Sequence, residues 1–195
     1  MPASAEYDVL TAYQQIHQVI LQQAESLTAA QLRWRPDHYS TSIGFHLWHL
    51  AREADYLRAA LLEHYPALGP DFGAAEQLWH TEKLAERWGF PAELGQTGVG
   101  TGLSDEVAAS LPIPPPAELL DYLRRAFAAV ESFLHLLDTR HAALPPAEQA
   151  DLRRAVERSR VNLLVFMLHD ARHLGMIECL TGLQTGFGSA TEKRP

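Results

Sequence analysis

The chain has a single cysteine, Cys179, among 195 residues. An intrachain disulfide is therefore excluded, and a reducing compartment is expected. Basic residues are also few: 16 Lys and Arg stand against 24 Asp and Glu, for a net charge of -8, and they form no long run. A protein that grips nucleic acid by its phosphates needs a basic face, so no nucleic-acid partner is expected. No apolar stretch reaches the length of a membrane span, so no membrane partner is expected either. The N-terminus, MPASAEYDVLTAYQQ, has neither the basic nor the apolar region of a signal peptide. These absences together give the expectation of a cytoplasmic protein. The alternating pattern of strands is missing as well. With 47% hydrophobic and 21% charged residues, the chain fits one globular domain over residues 1–195.

What is present is helical periodicity. In the first segment Val9 or Leu10, Tyr13, His17, Ile20 or Leu21 and Ala24 recur at the spacing of one helix face. A turn follows through LTAAQLRWRP, where Pro36 disfavours a continuing helix. Ser40, Thr41 or Ser42 can cap the next helix, which runs through IGFHLWHLAREADYLRAALLEH and stops near Pro66. Residues 66–116 are rich in glycine and proline. They read as a long excursion, with a short helix from Ala74 to Trp88 and one more helical turn at SDEVAAS. Such segments in compact domains often shape a site. A third long helix begins near Ala117 and ends by Thr139, residues 148–158 are helical or nearly so, and a fourth long helix follows. Long helices over about 6–27, 41–64, 117–138 and 159–180 predict an all-α four-helix bundle. The excursion between helices two and three argues against simple up-down-up-down connectivity.

The fourth helix contains His169-Asp170-Ala171-Arg172-His173 within strongly apolar sequence. Its two imidazoles are one turn apart and share a side of the helix. On a helical wheel Val165, Met176 and Leu180 flank them and Leu163, Met167 and Glu178 point away, which turns the pair toward the interior. Spacing alone reads more readily as ordinary core or surface histidines than as ligands. As interior groups, however, the two need hydrogen-bond partners or a metal. Helix two adds His46 and His49 on an equally apolar helix, with Glu53 one turn beyond as a fourth ligand, a group that orients an imidazole, or an ordinary salt-bridge residue. His17 reads as a satisfied packing residue, and His38, His64, His80, His135 and His141 as surface residues. HDARH is a poor HExxH: Asp170 is one methylene shorter than the glutamate that serves as base in that motif.

Three stretches together, WRPDHYSTSIGFHLWHLAREADY, WGFPAELGQTGVG and LHDARHLGMIECLTGL, cover most of the chain's landmarks. With them the chain resembles the DinB/YfiT-like superfamily. The resemblance implies a four-helix bundle, commonly a homodimer, in which one histidine of helix two and an HxxxH pair of helix four hold a divalent metal, often zinc or nickel. Carried onto this chain, the ligands are His49, His169 and His173, with His46 beside them. Relatives that use low-molecular-weight thiols such as mycothiol or bacillithiol imply a metal-dependent thiol S-transferase or isomerase acting on a small electrophile. A non-catalytic, metal-stabilised, stress-related binding protein and a metal-dependent hydrolase are the alternatives.

Arg52, Glu53 and Arg172 are the nearest charged candidates for pocket roles, and Tyr56, two turns beyond His49, can line the pocket or pack in the core. Arg172 is expected on the interior side of its helix. Cys179 reads as a lone small hydrophobe rather than a nucleophile.

Overall fold

The structure is a computed structural model that describes residues 9–64, 74–143, 145–150 and 163–186. Four long helices dominate: α1 (Val9–Glu25), α3 (Ile43–His64), α7 (Pro116–Ala143) and α8 (Leu163–Thr185). The short helices are α2 (Ala29–Arg33), α4 (Leu78–Thr81), α5 (Leu84–Trp88) and α6 (Asp105–Ser110), and residues 146–150 form a further helical turn. Among the described residues there is no strand, only one isolated bridge between Gln96 and Thr101. None of these helices is long and apolar enough to cross a membrane.

The stripe read from α1 is its buried face: Tyr13, His17, Ile20 and Ala24 point into the core. Where a plain turn was expected after it, α2 forms, because Thr28 and Gln31 make a capping box that satisfies the first free amides of that helix. Ser42 caps α3 through its Oγ, which accepts from the Phe45 amide at 3.2 Å. Residues 43–51 of α3 are buried on every side, since α3 touches α7, α8 and α2 at once. That crowding explains Gly44: a Cβ there would lie 2.4 Å from Ile113 Cγ2 and 2.9 Å from the Leu32 carbonyl.

In the bundle α3 packs against α7 and α8, and α1 against the same two helices. Consecutive long helices α1 and α3 therefore sit across a diagonal, and the connectivity is not a ring of sequential neighbours. Two features set by this arrangement matter below. The helix carrying His49 lies beside the helix carrying His169 and His173, and α1 lies beside both α7 and α8.

The excursion differs in detail from the single short helix expected over 74–88. Lys83 adopts a left-handed conformation (φ 51°) and splits it into α4 and α5. The turn expected at SDEVAAS is α6, capped by Ser104. The described part of the excursion is fastened to α3 by Arg52, which is 1% exposed. Its Nε donates to the Gly98 carbonyl (3.1 Å), Nη2 to Gln77 Oε1 (2.9 Å), and Nη1 to Asp55 Oδ2 (3.4 Å) and the Tyr122 hydroxyl (3.3 Å). The guanidinium also lies 4.8 Å over the Trp79 ring. Asp55 in turn accepts the Leu78 and Trp79 amides at 2.9 Å, capping α4 from a neighbouring helix. Every strong group in this buried cluster is thus paired, as burial requires.

The expected start of the last long helix at residue 159, most of the stretch 148–158 and the tail after Gly186 lie outside the described residues.

Candidate metal centre

His49 comes from the buried middle of α3, and His169 and His173 come from one side of α8. One ring nitrogen from each converges, and the three lie within 4.8 Å of one another. The rings meet at centroid separations of 5.0 Å (His49 and His169), 4.7 Å (His49 and His173) and 4.5 Å (His169 and His173). This group could hold a metal ion.

The hydrogen bonds around the cluster fix which nitrogens face inward. His49 Nδ1 lies 2.6 Å from the Val99 carbonyl. A carbonyl oxygen only accepts, so Nδ1 carries the proton and Nε2 keeps its lone pair. His169 Nδ1 likewise donates to Asp170 Oδ1 at 2.9 Å, leaving its Nε2 as an acceptor. The two Nε2 atoms then face one another at 3.0 Å. Two lone pairs at that separation repel unless a positive species lies between them. Two imidazole nitrogens on one tetrahedral zinc stand about 3.3 Å apart, so a few tenths of an ångström of adjustment would admit the ion. The donor set suits the ion as well, because neutral imidazole is a ligand for zinc and nickel alike.

His173 Nδ1 lies 3.0 Å from His46 Nδ1, and His46 Nε2 lies 3.1 Å from Thr41 Oγ1. With a proton running outward along this chain, His173 Nε2 is its uncommitted nitrogen. His46 is then a neighbour that orients His173. All three histidines thus have one nitrogen tied to a backbone carbonyl, a carboxylate or another imidazole, the arrangement that orients metal ligands. Burial also keeps His46, His49 and His173 neutral. Loss of hydration, reinforced by the charge of His49, lowers His46 to about 4. Burial lowers His49 to about 4, although its bond to Val99 opposes the change. His173 falls to about 2, through burial and then the charges of His49 and His169. Neutral imidazole is the form that binds metal.

The remaining sequence candidates are placed less uniformly. Glu53 is half-buried and accepts from Thr101 Oγ1 at 3.2 Å. Burial raises its pKa, against the opposing influence of His169. Tyr56 is half-buried, and among the described residues the ring contacts of the three histidines run to Phe45, His46 and one another. Arg52 is the buried clamp of the excursion described above, not a free pocket cation.

Arg172 is exposed, contrary to the interior position expected from the wheel, and so is Cys179. Val165 and Met176, expected beside the histidines on the inner side, are 58% and 40% exposed. Leu163 and Met167, expected to point away, pack on the core. The wheel misled because α8 is apolar nearly all round, so no polar stripe marks its outer side. His38, His80 and His135 are exposed as expected, while the side chains of His64 and His141 lie outside the described set.

Two participants were not assigned by sequence. Asp170, rejected as a catalytic base, is 2% exposed and holds His169. The Val99 carbonyl reaches His49 from the excursion, and a backbone acceptor leaves no mark in residue identity. Its approach depends on Gly100, whose φ is 102° and where a Cβ would meet Trp48 Cζ3 at 2.9 Å and His49 Nδ1 at 3.5 Å. Away from the histidines, a pocket of about 260 Å³ is lined by Trp88, Arg87, Glu118 and Arg125 among others. Its arginines are already paired with Glu118 and Glu82.

No curated protein matches the chain. Its fold is similar to the crystal structure of a conserved protein from Enterococcus faecalis, with a TM-score of 0.63 and 18% identity, over 92% of this chain and 96% of that one. The sequence matches the model of the DinB superfamily over residues 12–177, and the chain belongs to that superfamily.

Proposed function

We propose that His49, His169 and His173 hold a divalent cation, zinc or nickel, and that the protein is a metal-dependent thiol S-transferase or isomerase acting on a small electrophile. The observation that carries the metal reading is the pair of Nε2 atoms of His49 and His169. They face each other at 3.0 Å while both Nδ1 protons are committed elsewhere. Three protein ligands leave coordination positions for a small molecule, as in catalytic rather than closed structural sites. Bound there by neutral ligands, the cation would supply undiminished positive charge, which favours the thiolate form of a thiol such as mycothiol or bacillithiol. The chain's own contribution is to hold the three rings in one tautomeric arrangement. Glu53, one turn beyond His49 and raised by burial, would hold or release a proton in this reading.

A homodimer is part of the same proposal. The outer side of α8 exposes Leu164, Val165, Leu168, Met176 and Leu183, and a second copy would cover them. Sedimentation analysis showing a monomer at micromolar concentration would remove that part.

Metal analysis of the purified protein beside His49→Ala and His173→Ala tests the centre. About one equivalent in the wild type and a large loss in both variants are expected. Full metal content in both variants would sink it. A screen of low-molecular-weight thiols against electrophilic substrates, with the metal-loaded protein, then tests transfer. Metal binding with no turnover of any thiol would leave a binding protein.

A further inference from the structure

A set of buried polar groups on α1 and α7 leads to the three-histidine cluster without belonging to it. His17 on α1 is 1% exposed and lies between two carboxylates from different helices. Its Nδ1 is 2.5 Å from Glu131 Oε1 on α7, and its Nε2 is 3.0 Å from Asp170 Oδ2 on α8. The ring is stacked on Phe127 at 3.6 Å and tilted against Tyr13 at 4.1 Å, so it has one orientation. Ionised carboxylates only accept, so both ring nitrogens donate. Asp170 spends its other oxygen, Oδ1, on the Nδ1–H of His169. A carboxylate this deeply buried is tolerable only with such partners.

We propose that the chain Glu131–His17–Asp170 is a positioning device for His169. It holds that imidazole with Nδ1 on Asp170 and Nε2 toward His49, so that cation affinity is set partly by α1 and α7, two helices that supply no ligand. His17 and Glu131 are positioning residues, acting only through Asp170. The inference rests on the three-histidine reading of the site.

The test is zinc competition against a chromophoric chelator, with the visible absorption of the cobalt(II)-substituted protein as a second readout. Asp170→Ala is expected to bind zinc about 10–100-fold more weakly, the usual loss when the partner of a ligating histidine is removed. His17→Phe keeps a ring on Phe127 but deletes both hydrogen bonds, and a loss of at least about threefold is expected, by attenuation of the same effect. Both variants should alter the cobalt(II) bands, which respond to ligand geometry and not to stability. Unchanged zinc affinity and an unchanged cobalt spectrum in folded His17→Phe would overturn the proposal, whatever Asp170→Ala shows.

If neither variant folds, the wild type decides. Long-range proton–nitrogen NMR of the metal-free protein should show the His169 proton on Nδ1, and a proton on Nε2 instead would overturn the positioning chain. Absence of zinc binding by the wild type would count against the three-histidine reading, while the tautomer measurement still judges the chain from Glu131 to His169.

Discussion

His49 on α3 donates from Nδ1 to the carbonyl of Val99, fifty residues later, at 2.6 Å. This bond joins the excursion to the three-histidine cluster, and it fixes the tautomer that a metal ligand would need. The turn that delivers the carbonyl depends on Gly100, where a Cβ would strike Trp48. Gly100→Ala is therefore expected to cost about 1–3 kcal/mol of stability, from the positive φ and the clash together. Zinc affinity should fall by about tenfold in the same variant, because the ligand loses its orienting partner. Urea unfolding and chelator competition check the two effects, and wild-type values in both would show that the turn does not support the site.

Arg52 and Asp55 give a second expectation. Removing the guanidinium leaves a carboxylate that is 2% exposed without its cation. Arg52→Ala should destabilise by about 3–5 kcal/mol, the range for breaking a buried ion pair. Tyr122→Phe removes one hydrogen bond to the same Asp55 oxygen and should cost about 1–2 kcal/mol. Equal, small effects in denaturant titrations would mean that the clamp is dispensable.

The buried imidazoles predict a pH dependence for the metal-free protein. His46 and His49 are lowered from 6.5 to about 4, so as pH falls the unfolded chain takes up protons before the folded one. Their contribution is present above about pH 6.5 and is lost as pH falls toward 4, at up to about 1.4 kcal/mol per pH unit for each group. Unfolding midpoints at pH 7, 6 and 5 should decline, and His46→Gln should flatten the decline. A variant as acid-sensitive as the wild type would contradict the assignment for His46.

His17 predicts the opposite sign. Burial alone would lower its pKa, but the hydrogen bonds to Asp170 and Glu131 together outweigh burial and raise it above 6.5. The stability it contributes is fully present below pH 6.5 and is lost as pH rises through the raised value. The stability gap between the wild type and His17→Phe should therefore narrow from pH 6 to pH 9 in urea titrations. A gap independent of pH would mean that His17 is not held as the cation.

Legibility from sequence followed the physical signal available. The stripe Tyr13, His17, Ile20 and Ala24 on α1 was readable because an apolar face on an otherwise polar helix has only one way to turn. A cap among Ser40, Thr41 and Ser42 and the helical turn at Asp105–Ser110 were readable because their chemistry acts within a few residues, and the structure chose Ser42. The grouping of His49 with His169 and His173 was implied by the family resemblance and not by spacing alone, and the structure brings one ring nitrogen of each within 4.8 Å.

The sequence by itself determined the helical segments and the bundle class, because these depend on local periodicity and residue type, while the choice of His49 over His46 came only from the resemblance to the DinB/YfiT-like superfamily. Only the tertiary structure decided which side of α8 faces inward. That helix is apolar nearly all round, and only packing against α1 and α3 selects Leu163 and Met167 over Val165 and Met176. Tertiary structure alone also decided that Asp170 lies between His17 and His169 and that the Val99 carbonyl meets His49. The contacts His17–Asp170 and His49–Val99 join residues 153 and 50 positions apart, which no local pattern encodes.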